Sequence, residues 1–189
     1  MNHEIFGYLS GAILLLAIPI YLRGIYKYNF SSNRVTWGVW ILVNALFCFS
    51  YYKSVGLVSS IWVPFVYLFS IIVIFIFLIK FGRPGSFTWV EKNVLISIPL
   101  ILIFWFFSKS AIAVLTLTLL IDILGSIPLI ITLWKNSKAD YATAWYIGFI
   151  ANFLNLFAIE KWDYANAIYP VYLVLLTFVC SILLSRRTN

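Results

Sequence analysis

The chain has few charged residues. Only 10% of its 189 residues are Asp, Glu, Lys or Arg, whereas 63% are hydrophobic. This amount of polar surface cannot cover a water-soluble globular protein. The composition therefore excludes a soluble protein and indicates an integral membrane protein. The longest polar interval, residues 23–34, still contains Ile25, Tyr26, Tyr28 and Phe30. We therefore expect any functional site to lie inside a helical bundle or at its rim.

Histidine and cysteine are also scarce, with one His and two Cys. His3 is too isolated for a metal site, and the sequence lacks the common zinc-protease, nucleophile-elbow and phosphate-loop motifs. Asp122 is the sole aspartate inside an apolar segment, whereas an intramembrane aspartyl protease needs two. Cys48 and Cys180 are interpreted as small buried apolar residues. We therefore expect no enzyme activity, no metal and no cofactor.

The charged residues divide the rest of the chain into seven apolar segments. These are residues 5–22, 35–52, 54–79, 93–108, 110–134, 141–159 and 164–185. Six of the segments have at least 18 residues, enough to cross about 30 Å of hydrocarbon. The fourth is shorter, and it spans only if Lys92 and Lys109 extend toward the headgroups. The pattern predicts an all-α integral membrane protein with seven transmembrane helices.

The 13 Lys and Arg residues outnumber the six Asp and Glu residues, and they are distributed unevenly. When the loops are assigned alternately to two sides, ten basic residues fall on one side and three on the other. This asymmetry predicts a multi-pass protein of the cell inner (plasma) membrane with its N-terminus outside and its C-terminus in the cytoplasm. The positive charge then indicates orientation and contact with anionic membrane lipid, and no nucleic-acid partner is expected.

The second and sixth segments share a pattern of tryptophan and asparagine. Trp37, Trp40 and Asn44 follow an i, i+3, i+7 spacing, which places them on one face of a helix. Trp145 and Asn152 lie seven residues apart as well, 108 positions further along the chain. We predict that the two faces meet across a duplicated protein and form a polar site for a small solute.

Prolines extend this similarity. An alignment of residues 5–80 with residues 111–185 pairs Pro19 with Pro128. A proline within a helix removes one backbone hydrogen bond, which membrane helices tolerate at a kink. Pro19 and Pro128 are therefore predicted to be hinges for alternating access, and a static kink explains them equally well.

The alignment predicts three units. Residues 1–80 form a first three-helix repeat, residues 81–110 contain a linker helix, and residues 111–189 form a second repeat. Three spans, an odd number, separate the first helices of the two halves, so both halves run in the same direction. Parallel repeats of this kind are related by an axis along the membrane normal, with a substrate site near the midplane between them.

This three-one-three plan, together with the run Thr-Trp-Gly-Val-Trp that begins at Thr36, resembles the SWEET, PQ-loop and PnuC transporter superfamily. The chain looks most like its bacterial seven-helix members. The resemblance implies a carrier of sugars or vitamin precursors down their gradients. It also implies a pocket with one tryptophan and one asparagine from each half, at Trp37, Asn44, Trp145 and Asn152.

The chain departs from the family pattern in two ways. Ile20 follows Pro19 and Leu129 follows Pro128, so the glutamine of the PQ motif is missing from both halves. The remaining prolines of the repeats fall in the third helix of each half, whereas SWEET proteins place them in the second. These departures weaken the assignment of sugar in particular.

Two polar residues have no counterpart in the first half. Asp122 aligns with Ile13 and lies halfway along its segment, where an ionised aspartate costs about 2.5–3.5 kcal/mol. It is interpreted as a proton-coupling group or a hydrogen-bond acceptor for substrate, or else as a structural acid bonded to Ser or Tyr. Asn155 aligns with Phe47 and would add a further amide beside Asn152.

The predicted function is therefore transport of a small neutral polar solute, sugar-like or vitamin- or nucleoside-like, by alternating access. Trp37, Trp40 and Trp145 would stack on the solute, unless they belong to an interfacial belt. The asparagines would hydrogen-bond to it, unless they join helices to one another. The alternative is a non-transporting membrane interaction or lipid-handling protein of the same fold, and either protein could form a homo-oligomer.

Overall fold

A computed structural model of the protein describes residues 3–28, 32–55, 62–82 and 87–186; for residues 50–55, 62–64 and 111 it describes the backbone alone. The described residues form an all-helical protein, which confirms the all-α part of the prediction. Their α-helices are α1 (His3–Tyr28), α2 (Arg34–Val55), α3 (Trp62–Phe81), α4 (Trp89–Phe107), α5 (Ala111–Lys135), α6 (Ala142–Asn155) and α7 (Tyr164–Ser185). A short 3₁₀ turn, Leu156–Ala158, follows α6.

Four of these helices, α1, α4, α5 and α7, are long and apolar enough to cross a membrane. Shorter apolar helical stretches lie at Arg34–Phe49, Phe65–Phe81 and Ala142–Ala158 within the described ranges. Large apolar side chains point outward from the bundle, and Phe104, Phe106 and Phe107 of α4 are each at least 70% exposed. Such a surface is unfavourable in water and favourable in hydrocarbon, which is compatible with location in a membrane.

α4 begins at Trp89, four residues before the predicted fourth segment, so its first turn includes charged residues. Thr88 caps the helix, and Glu91 accepts a hydrogen bond from the Thr88 backbone N–H at 2.9 Å, so that the two residues form a capping box. The Nδ2 of Asn33 donates to Glu91 at 2.7 Å. The first turn of α4 is thus bonded to the connection between α1 and α2.

The helices pack in a regular set of pairs. α3 packs against α1 and α2, and α7 packs against α5 and α6. α1 packs against α6, α2 packs against α5, and α4 lies on α5. If α1, α2 and α3 are exchanged with α5, α6 and α7, the pairs among these six helices are unchanged.

Both predicted hinge prolines lie inside continuous helices. Pro19 is in α1 and Pro128 is in α5, and each helix continues for at least seven residues beyond its proline. Pro128 is fully buried. A hinge motion at either position stays a prediction.

Two glycines, Gly125 of α5 and Gly148 of α6, differ in how closely a neighbouring side chain approaches them. A Cβ on Gly125 of α5 would lie 2.4 Å from Cγ1 and 3.0 Å from Cβ of Val39 in α2, whereas a Cβ on Gly148 of α6 would meet nothing within 4 Å. Alanine gains about 1 kcal/mol of helix propensity over glycine in water. Overpacking a tight contact costs about 1–3 kcal/mol.

We therefore expect Gly125→Ala to lower the midpoint of thermal unfolding in detergent and Gly148→Ala to leave it unchanged or raise it. The measurement is the loss of the monodisperse chromatographic peak with temperature. Equal midpoints for the two variants would contradict the close approach of α2 and α5.

Candidate functional site

A central cavity of about 140 Å³ lies inside the helical bundle. Six helices contribute to its wall, namely α1, α2, α3, α5, α6 and α7. Among the described residues, α4 contributes none of the lining side chains. The cavity therefore lies where the two sets of three helices meet.

Six of the seven binding residues predicted from the sequence line this cavity. They are Trp37, Trp40, Asn44, Asp122, Trp145 and Asn152. Asn155 does not line it. It is the last residue of α6, half-buried, and lies about 4.5 Å further along the helix axis than Asn152 at 1.5 Å per residue.

The three tryptophans form one aromatic cluster. The ring centroids of Trp37 and Trp40 are 5.2 Å apart, and those of Trp40 and Trp145 are 6.1 Å apart. All three side chains are buried in the protein, whereas tryptophans of an interfacial belt face lipid and headgroups. The belt interpretation does not fit these positions, and the rings instead present π surface to the cavity.

The two asparagines are held differently. The Nδ2 of Asn44 donates to the Trp40 carbonyl at 2.9 Å, one turn earlier in the same helix. The Oδ1 of Asn152 accepts a hydrogen bond from the Tyr67 hydroxyl, which joins α6 to α3. The interhelical role considered for these amides thus occurs at Asn152.

Asp122 is bonded to two tyrosines of α7. The Tyr169 hydroxyl donates to its Oδ2 at 2.9 Å and the Tyr172 hydroxyl to its Oδ1 at 3.1 Å. Ser126 continues this network, with its Oγ 2.9 Å from the Tyr172 hydroxyl and 3.3 Å from Nε1 of Trp40, which donates to it. The acid is therefore anchored by tyrosines and also forms part of the cavity wall.

Asp140 is a functional candidate that the sequence analysis missed. It lies in the connection between α5 and α6, and its side chain is 6% exposed. Its Oδ1 accepts from the Tyr21 hydroxyl at 2.5 Å and from the Tyr141 backbone N–H at 2.6 Å, and its Oδ2 accepts from the Ser32 hydroxyl at 2.5 Å. The Trp37 indole in turn donates to Ser32 at 2.9 Å.

Burial is the largest influence on the acidity of Asp140. It raises the pKa of this carboxyl above its ordinary value, and the hydrogen bonds from Ser32 and Tyr21 act in the opposite direction. The Trp145 indole N–H also faces the carboxylate and stabilises its charged form, although it lies outside hydrogen-bond geometry. The sequence contains one indication of this site. Ser32 and Asp140 are 108 residues apart, which is the spacing of the repeated Trp and Asn pattern, so they occupy equivalent positions in the two predicted repeats.

No family model matches this chain, and neither does any curated protein or solved structure. Within the described ranges, no three His, Cys, Asp or Glu side chains come close enough to hold a metal ion.

The tyrosine anchors of Asp122 lead to a test by substitution. Asp122→Ala leaves the buried Tyr169 hydroxyl without its acceptor, which costs about 1–3 kcal/mol for an unsatisfied buried group, while the partly buried Tyr172 hydroxyl keeps Ser126 as a partner. We expect a clear fall in the thermal unfolding midpoint for Asp122→Ala and a smaller fall for Asp122→Asn, which keeps an oxygen acceptor.

A matched control combines Asp122→Ala with Tyr169→Phe and Tyr172→Phe, which remove the two donors. The loss caused by Asp122→Ala is expected to shrink in this background, because the interacting groups are then gone together. Fully additive losses would show that the tyrosines do not anchor the acid.

Proposed function

We propose that this chain is a seven-span transporter that moves a small neutral polar solute through the central cavity by alternating access. Its halves would be α1–α3 and α5–α7, running parallel and joined by α4 as the linker. The proposal is based on the cavity itself. Six helices of the two halves form its wall, and three tryptophans and two asparagines line it.

The packing of the helices supports two equivalent halves. The pairs α1 with α6 and α2 with α5 are exchanged with each other when the halves are exchanged. These two interfaces enclose the cavity between them. Rocking of one half against the other would open the cavity toward one side while closing it toward the other.

The wall chemistry supports a solute with both a flat apolar face and polar groups. Trp40 and Trp145 offer ring faces that pack against a sugar ring or an aromatic base. Asn44 and Asn152 offer amides that donate and accept hydrogen bonds. Asp122 would adjust the polarity of the site, and Pro19 and Pro128 would be the hinges.

The proposed setting is the plasma membrane, with the N-terminus outside. The connections between α1 and α2 and between α5 and α6 would then face the cytoplasm, where the positive-inside rule places basic residues. Arg23, Lys27, Lys135 and Lys138 belong to these two connections or the helix ends beside them. They are placed to contact anionic lipid.

Proteoliposome uptake of radiolabelled sugars, nucleosides and vitamins tests the proposal. We expect at least one neutral solute to enter, and Asn44→Ala and Asn152→Ala to lower its initial rate by about two- to tenfold, the equivalent of one lost hydrogen bond. Asn155→Ala is the matched control, because it removes a nearby amide of the same helix that does not line the cavity. Uptake that both cavity variants leave unchanged would exclude the cavity as the transport site.

A second candidate function, a non-transporting membrane protein of the same fold, is favoured by one observation. The Tyr67–Asn152 hydrogen bond shows that an amide in the cavity wall also joins two helices. This candidate predicts that Asn152→Ala lowers thermal stability while no solute of the panel raises it. A stabilising solute would contradict it, because a ligand that binds the folded protein stabilises it in proportion to occupancy.

A further inference from the structure

Asp140 lies at one end of the central cavity, directly behind residues that line it. Its donor Tyr21 lines the cavity, and so do Trp37, which donates to Ser32, and Trp145, whose indole faces the carboxylate. We name the group Asp140, Tyr21, Ser32 and Trp37 the Asp140 latch.

The latch crosses between the proposed halves. Tyr21 lies in α1 and Ser32 just before α2, whereas Asp140 lies just before α6. α1 and α6 also approach closely beside it, since the Tyr28 and Tyr141 rings stack with centroids 5.6 Å apart. Any opening of the cavity toward this end must separate the Asp140 carboxylate from both hydroxyl groups.

Among the described residues, no Lys, Arg or His nitrogen lies within 4 Å of an Asp140 oxygen, although Lys138 is two residues away in the same connection. Tyr21 faces it from α1, Tyr141 follows it at the start of α6, and the Cys180 thiol faces it from α7. In the described part of the chain, the ion pair that occurs is Lys161–Asp163, at the opposite end of α6. A buried carboxylate with neutral partners alone is costly while ionised, and binding a proton removes that cost.

We propose that Asp140 is a proton-binding site that couples the opening of this end of the cavity to proton release. The carboxyl binds a proton more tightly while the latch is closed than when the latch is open. The proton would leave toward the side that bears the α5–α6 connection, together with the solute. This inference rests on the proposed alternation of the halves and adds a coupling ion to it.

The direction of the pH effect follows from linkage. Burial raises the pKa of Asp140 in the closed latch, and hydration in the open latch returns it toward its ordinary value. The closed form therefore binds the proton more tightly, so that falling pH favours the closed latch and rising pH favours the open one. A difference of one pKa unit between the two forms changes their ratio by about tenfold.

Chemical labelling of a cavity residue measures this opening without knowledge of the solute. Ala144 lines the cavity in the first turn of α6, and Ala144→Cys is made in a Cys48→Ala, Cys180→Ala background, which adds no polar group beside Asp140. A membrane-impermeant maleimide is added from the side of the α5–α6 connection, in vesicles of defined orientation, at pH 5.5 and pH 8. Asp163→Asn provides the matched control, because Asp163 also precedes a helix and accepts a backbone N–H but is solvent-exposed.

We expect labelling to rise between the two pH values by several-fold more with Asp140 present than in Asp140→Asn, which imitates the protonated acid. The Asp163→Asn profile should follow that of the parent. The ratio of parent to Asp140→Asn at each pH removes the ordinary pH dependence of thiol reactivity. Identical profiles for the parent and Asp140→Asn would overturn the proton site and leave the alternation intact.

Tyr21→Phe tests the latch independently of the acid. It removes one hydroxyl donor and keeps the ring, so we expect greater labelling at both pH values. Unchanged labelling would overturn the latch even if Asp140→Asn failed to fold. No labelling from this side in any variant would overturn both the latch and the alternation on which it rests.

Discussion

The structure depends on one constraint: polar groups inside an apolar bundle have no water to bond and must find partners within the protein. Asp122 meets it through Tyr169 and Tyr172, and Asp140 meets it through Tyr21 and Ser32. Every one of these partners comes from another helix or connection. The polar side chains therefore join particular pairs of helices, and three of them, Tyr21, Asp122 and Tyr169, also line the central cavity.

The two aspartates differ in what their bonds join. Asp122 and its tyrosines all belong to α5 and α7, within one proposed half, so its network can persist while the halves move. Asp140 takes both hydroxyl donors from the opposite half. In a protein that works by relative motion of two halves, the first arrangement suits a fixed part of the wall and the second suits a contact that opens and closes.

The helical class and most of the candidate site could be predicted because they depend on local spacing. Trp37, Trp40 and Asn44 share a helix face by periodicity alone, and the Trp145 and Asn152 pair repeats it. Asn155 could not be excluded this way, because periodicity does not show how far the cavity extends along α6, whose last lining residue is Asn152. The fourth segment was predicted to begin at residue 93, whereas α4 begins at Trp89. The prediction was wrong because the capping box of Thr88 and Glu91 stabilises a first turn that contains charged residues.

Asp140 was missed for a different reason. A charged residue beside Lys138 in a short connection has the sequence of a solvated loop, and its burial arises from Tyr21 and Ser32, more than 100 residues earlier. Such contacts depend on tertiary packing, which composition and periodicity do not encode. The repeated tryptophan and asparagine pattern predicted that two helix faces meet, but not which side chains lie at the end of the space between them.

Transport as proposed requires the two halves to move against each other around the cavity. Distances between spin labels measure this motion, with one exposed pair at each end of the α1–α6 interface: Lys27 with Lys138, and Glu4 with Lys161. If the halves alternate, each pair has two populations, and one distance increases as the other decreases. A single unchanged distance for both pairs, across pH values and with any stabilising solute, would contradict it.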